Sequence, residues 1–117
     1  METEVFVNRA AAIAVLALAA LLEAGGDALV RVGLHSTAIW NRIALFALAA
    51  VVLFAYGWTV NAPPWEFGKL LGLYVVFFFI FAQLISWLVF KQPPSPSLLA
   101  GGALILLGGF VISLSNA

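Results

Sequence analysis

The fold of this chain is decided by an uninterrupted apolar stretch between Lys69 and Phe90, which reads KLLGLYVVFFFIFAQLISWLVF. A helix that crosses a lipid bilayer needs roughly 20 mostly apolar residues, because each residue rises about 1.5 Å through a hydrocarbon layer about 30 Å thick. The stretch has this length, and its only formally charged residue is the first one. It therefore predicts a membrane-spanning helix.

The segments on both sides of this stretch are rich in proline, and further apolar runs lie beyond them. Asn61 to Glu66 reads NAPPWE, and Lys91 to Ser97 reads KQPPSPS. Proline removes an amide donor and clashes with the preceding turn, so these segments end helices. We predict one all-α transmembrane domain over residues 1–117, with four helices and short loops. The predicted spans are Asn8–Leu34, Asn41–Val60, Lys69–Phe90 and Ser97–Ser115.

The composition indicates the same class of protein. Of the 117 residues, 65% are hydrophobic and 9% are charged, whereas soluble domains carry about 25% charged residues. The net charge is zero and there is no cysteine, so no nucleic-acid partner, disulfide or thiolate metal site is indicated, and we expect no cofactor or metal. We expect a multi-pass protein of the cell (inner) membrane. Its acidic start, Met1 to Glu4, argues against a cleaved signal peptide.

The flanking charges give no clear orientation in the membrane. Arg9 and Lys69 fall on one side of the predicted spans, and Arg31, Arg42 and Lys91 fall on the other. If Arg31 belongs to the first span, the count is two against two. Because the excess of Lys and Arg in cytoplasmic loops sets topology, a balanced chain is expected to insert in either orientation.

The first span carries three ionisable residues in the segment LLEAGGDALVR, from Leu21 to Arg31. Glu23, Asp27 and Arg31 are four residues apart, so they share one helix face. A charge near the bilayer centre costs at least about 2.5 kcal/mol, so this face must point away from lipid. Toward the N-terminus the face continues through mainly small side chains, which allow close helix approach or leave a cavity: Ala20, Ala19, Leu16 and Ala12.

The depth of the three residues separates their predicted roles. Asp27 lies about 6 Å beyond Glu23 along the helix and Arg31 about 12 Å beyond it, near the interface. The spacing of Asp27 and Arg31, with the acid first, suits an ion pair. Glu23 is then unpaired, and a carboxyl in a low-dielectric medium can exchange a proton for a cation. Alternatively, Glu23 stays protonated and forms a hydrogen bond with another helix.

This segment resembles the first-helix motif of the small multidrug resistance transporters, in which a glutamate is followed by a glycine, a leucine and a basic residue. Glu23, Gly26, Leu29 and Arg31 occupy those positions, and Asp27 stands where that family usually has threonine. The resemblance implies an antiparallel homodimer that exchanges protons for a cationic substrate, with Glu23 as the shared carboxyl.

The later spans are similar to the same family. Leu84 to Trp87, followed by Gln92, resembles its third helix and next loop, and Gly102 and Gly109 resemble its dimerisation helix. Tyr74 stands where multidrug members carry a substrate-contacting tryptophan, which is nearer to the YnfA-like branch of the drug/metabolite transporter superfamily. The paired glycines of that branch are replaced by valines, Val75 and Val76.

The remaining candidate residues are less specific. Gln83 and Trp87 share a helix face; Gln83 could line a cavity or form an interhelical hydrogen bond, and Trp87 could belong to an interfacial aromatic belt. We read His35 as an interfacial residue rather than a ligand. Small residues allow backbones to approach, so Gly26, Gly102 and Gly109 are candidates for dimer or helix packing. The candidate substrate- and proton-binding residues are Glu23, Asp27, Gln83, Tyr74 and Trp87.

The predicted function is a small proton-coupled transporter that exports a small, cationic compound as a homodimer. Two alternatives remain open. The chain could be a non-transporting scaffold or regulatory subunit, with the three charges acting between helices. It could also be a subunit of a lipid-linked carrier, in which Arg31 would meet a phosphate. We do not expect an enzyme, because the sequence shows no nucleophile with a base and no metal site.

Overall fold

The computed structural model describes residues 2–114, and side chains from Arg9 onward. Within that part the chain is all-helical and contains no strand. All four helices are long and apolar enough to cross a membrane, the first over Arg9–Leu34, as expected of a multi-pass membrane protein. The predicted all-α class is therefore confirmed, while Ser115 lies outside the described residues. The helices are α1 (Glu2–Leu34), α2 (Ile39–Val60), α3 (Phe67–Leu88) and α4 (Pro96–Ser113).

Helix α3 ends at Leu88, two residues before the predicted end of the span. Lys91 adopts φ 58°, a left-handed conformation that a helix cannot continue through. The turn is closed by Gln92, whose backbone N–H donates to the Ser86 carbonyl over 2.9 Å. The Ser86 hydroxyl donates in return to the Gln92 carbonyl over 3.2 Å. This turn brings Phe90 back toward α1.

Helix α4 begins one residue before its predicted start, at Pro96. Proline is favoured at the first helical position, where its missing N–H would have had no partner in the helix. Ser95 caps the helix, because its hydroxyl accepts a hydrogen bond from the Leu98 N–H over 3.1 Å. Helix α2 has no such cap, since Ala38 occupies the corresponding position.

The helices are arranged in the order α2, α1, α3, α4. Helix α1 packs against α2 and α3, α2 meets α3 only slightly, and α4 packs against α3 alone among the described residues. The chain measures 55 × 33 × 20 Å. Because a helix with its side chains is about 10–12 Å wide, the arrangement is about two helices thick. Helix α4 contacts neither α1 nor α2 among the described residues, so the arrangement is an open row rather than a closed bundle.

The core of the row lies where α1 meets α3 and the end of α2. The small-residue face of α1 is buried here. The structure therefore shows close helix approach at this face rather than a cavity. Leu16, Ala19 and Ala20 have no exposed surface. The residues packed together in this core are Leu16, Ala19, Ala20, Val60, Leu70 and Tyr74.

The three glycines that the sequence analysis named as packing candidates are in close contact with neighbouring helices of the same chain. A Cβ at Gly26 would lie 2.6 Å from Leu53 of α2, and one at Gly102 would lie 2.5 Å from Phe79 of α3. A Cβ at Gly109 would collide with Val76 of α3. Gly102 and Gly109 therefore pack against α3 inside the chain, which is the helix-packing role that the sequence analysis left open beside dimerisation.

Candidate functional site

The centre of the candidate site is a hydrogen bond between α1 and α3. The Tyr74 hydroxyl donates to the Oε1 atom of Glu23, and the two residues are 51 positions apart in the chain. Tyr74 is only 4% exposed, whereas Glu23 is half-buried. Glu23 has no cationic partner among the described side chains. The carboxyl thus has one protein donor and some access to its surroundings.

Aromatic rings extend from this hydrogen bond on both sides of Tyr74. The centroid of the Tyr56 ring lies 5.5 Å from that of Tyr74, and the Phe78 ring is stacked on Tyr74 at 6.1 Å. The sequence analysis missed Tyr56 and Phe78. A signal for Tyr56 existed, because a phenol hydroxyl within an apolar span needs a hydrogen-bond partner.

Asp27 lies one turn after Glu23, and its side chain is exposed. It lines an inner cavity of about 220 Å³ between α1 and α3. Ala24 and Phe78 line the same cavity, which extends it toward the Glu23–Tyr74 hydrogen bond. The Ser86 hydroxyl and Gln92 also line it, so its outer end is polar.

Arg31 makes a contact that the sequence did not predict. Its Cζ atom lies 5.3 Å from the centroid of the Phe90 ring. No ion pair joins Arg31 to Asp27 among the residues that the structure describes. This arrangement differs from the predicted Asp27–Arg31 pair, because the turn after α3 supplies an aromatic face for the guanidinium.

Gln83 and Trp87 are not brought to the centre of the site. Gln83 follows Phe79 by four residues and Val76 by seven, so it lies on the side of α3 that contacts the glycines of α4. Its Oε1 atom is buried and has no hydrogen-bond partner among the described residues. Trp87 is 53% exposed. Neither residue lines the inner cavity.

The arrangement combines one carboxylate with several aromatic faces. A carboxylate attracts a cation by charge, and the negative face of an aromatic ring attracts it through the ring quadrupole. A carboxyl can bind a proton instead of a cation, and the bound proton removes its charge. Among the described residues, no group of three possible metal ligands is present. The chemistry of this site therefore favours small cations and protons.

Comparisons with known proteins found no relative of this chain. No protein-family model, no curated protein and no solved structure matches it. The resemblance to the small multidrug resistance transporters therefore stays a prediction that depends on the motif residues quoted above. The geometry around Glu23 is the main support for a functional proposal.

Proposed function

We propose that the chain is a small proton-coupled membrane transporter that exports a small cationic compound. Glu23 is the carboxyl that binds either a proton or the cation. The observation that carries this proposal is the hydrogen bond from Tyr74 to the half-buried Glu23, within a membrane-spanning helix.

The energetics of Glu23 favour exchange over permanent charge. An ionised carboxylate within the bilayer costs at least about 2.5 kcal/mol, and a hydrogen bond to a charged group returns about 1.5–3 kcal/mol. These two contributions nearly cancel, so a further partner decides the state of the carboxyl. A bound proton removes the charge, and a bound cation compensates for it. Only one of the two can occupy the carboxyl at a time.

The surroundings of Glu23 support an organic cation as the substrate. The rings of Tyr56, Tyr74 and Phe78 are close enough together to offer several aromatic faces. A cation over such a face gains about 0.5–2 kcal/mol, depending on desolvation. The inner cavity of about 220 Å³ reaches this site at Ala24 and Phe78, but Glu23 and Tyr74 do not line it.

We further propose that two copies of the chain, inserted in opposite orientations, form the transporter in the cell (inner) membrane. An open row of four helices leaves Asp27 exposed, and a second copy would complete the wall around it. The balanced Lys and Arg count allows either orientation.

A scaffold function is the second candidate, because the same hydrogen bond also ties α3 to α1. In that case Glu23 only stabilises the helix pair, and no ion is exchanged. The transporter should release a proton when a cation binds, and the scaffold should not. A measurement of proton release therefore distinguishes the two candidates.

The decisive experiment measures proton release when guanidinium, quaternary ammonium or polyamine compounds are added to the purified protein, followed by flux into liposomes. Glu23→Gln should fold, because the amide is nearly isosteric, but it should abolish both signals. Glu66→Gln is the matched control: it removes the same type of group from an exposed position just before α3 and should keep both signals. Unimpaired flux in Glu23→Gln would reject the mechanism, and a wild-type protein that shows neither proton release nor flux would favour the scaffold.

A further inference from the structure

A second and larger cavity lies at the other end of the charged segment of α1. It is a groove of about 740 Å³ between the end of α1 and the beginning of α2. The transport mechanism proposed above makes no use of it. The residues that line the groove are Arg31, Val32, His35, Ser36, Asn41, Ala44, Leu45 and Phe90.

The polar lining of the groove suits an anion. Arg31 carries a positive charge, Ser36 and Asn41 supply further donors, and no carboxylate lines the groove. His35 is held in place, because its Nδ1 atom lies 2.8 Å from the Arg31 carbonyl. That carbonyl can only accept, so Nδ1 carries the proton. A planar guanidinium flanked by hydroxyl and amide donors is well suited to phosphate oxygens.

The remainder of the groove is apolar. Val32, Ala44 and Leu45 form its wall, together with the ring of Phe90. The groove lies at the membrane interface, since the first span ends at Leu34. Trp40, which is 78% exposed, lies beside it in sequence and is typical of the headgroup level. A ligand of this groove therefore needs both an anionic group and a hydrocarbon part.

We propose that this groove binds the phosphate group of a membrane phospholipid at Arg31, Ser36 and Asn41, with its acyl chains along Val32 and Leu45. Such a lipid is a resident component and need not be transported. The uncapped beginning of α2 adds to the attraction, because the partial positive charge of a helix N-terminus favours anions. The proposal does not depend on proton-coupled transport.

The test uses the full-length protein in an uncharged detergent, with bound phosphatidylglycerol counted by native mass spectrometry. Arg31→Gln should weaken binding of the tightest lipid by about tenfold, because it removes a charge-assisted hydrogen bond. Arg42→Gln is the matched control. It removes the same charge at the same end of the molecule, but Arg42 lies 5.8 Å from the Phe46 ring and does not line the groove.

The pattern across variants and ligands decides the outcome. An affinity loss confined to Arg31→Gln supports the groove, and Glu23→Gln should bind lipid like the wild type whether or not it transports. Equal losses in Arg31→Gln and Arg42→Gln would mean non-specific charge attraction and would overturn the proposal. Binding of uncharged diacylglycerol as tight as that of phosphatidylglycerol would also overturn it. Inorganic phosphate that binds as tightly as the lipid would reject the lipid assignment.

Discussion

Tyr74 donates a hydrogen bond to Glu23 and so joins the third helix to the first at an acidic residue that is half-buried within a span. The hydroxyl of Tyr74 and its ring have separable functions in this arrangement. The hydroxyl stabilises the carboxylate, and the buried ring packs against the rings of Tyr56 and Phe78.

We expect Tyr74→Phe and Tyr74→Ala to differ in cation binding. Tyr74→Phe loses the hydrogen bond, which should lower the free energy of unfolding by about 1–3 kcal/mol, but it keeps the ring. Tyr74→Ala also loses the ring and should bind the cation about tenfold more weakly than Tyr74→Phe, because Tyr56 and Phe78 lose the ring that they pack against and with it their positions as cation–π partners. Isothermal titration with a transported cation measures this ratio. Equal affinities in both variants would show that the ring does not support the cation site.

Asp27 and Arg31 should act independently in stability measurements. Arg31 contacts the Phe90 ring rather than Asp27, so the effects of Asp27→Asn and Arg31→Gln should add to within about 0.5 kcal/mol. Thermal unfolding of the two single variants and the double variant in detergent gives the coupling energy. A double variant that recovers most of the loss caused by Asp27→Asn would instead show that the predicted ion pair forms in the membrane.

The two glycine pairs of α4 should respond differently to leucine. Gly102 and Gly109 face α3, so replacing both should force α4 away from Phe79 and Val76 and destabilise the chain by about 1–3 kcal/mol or more. Gly101 and Gly108 have no neighbouring atom within 4 Å, so the same replacement there should leave the fold intact.

Cross-linking of the same two double variants tests self-association. If two chains pair through the free face of α4, the Gly101→Leu, Gly108→Leu variant should lose the dimer and keep its thermal stability. Unchanged cross-linking would assign the dimer contact to another helix.

Topology should be mixed and easy to bias. Reporter tags on the C-terminus should reveal cytoplasmic and external populations, because two basic residues on each side give no preference. Two lysines added to the segment between α2 and α3 should shift the population to one orientation. A single clean orientation of the unmodified chain would contradict the proposed antiparallel dimer.

The features that could be predicted from the sequence are those with local signals. Proline-rich segments marked the ends of the spans, and the four-residue spacing of Glu23 and Asp27 marked the face of α1 that leaves the lipid. The hydrogen-bond partner of Glu23 could not be predicted in this way. Whether Tyr74 or Gln83 meets the carboxyl depends on how α3 is rotated against α1, and α3 is apolar on nearly every side.

The glycines of α4 show the same limit. Gly101 with Gly108 and Gly102 with Gly109 have identical spacing, and α4 has no polar face to distinguish them. Only the packing against Phe79 and Val76 shows which pair is enclosed. The resemblance to a dimerisation helix singles out α4, but it could not indicate which of the faces of α4 remains open.

The stacking of Arg31 on Phe90 has a kinetic consequence. Both residues line the interfacial groove and also the inner cavity, so this contact is the partition between the two spaces. A contact of this type is worth about 0.5–2 kcal/mol, which thermal energy breaks in roughly 3–30% of molecules at any moment. Each time the guanidinium moves aside the two spaces join, so exchange between them follows the motion of one side chain and needs no movement of a helix.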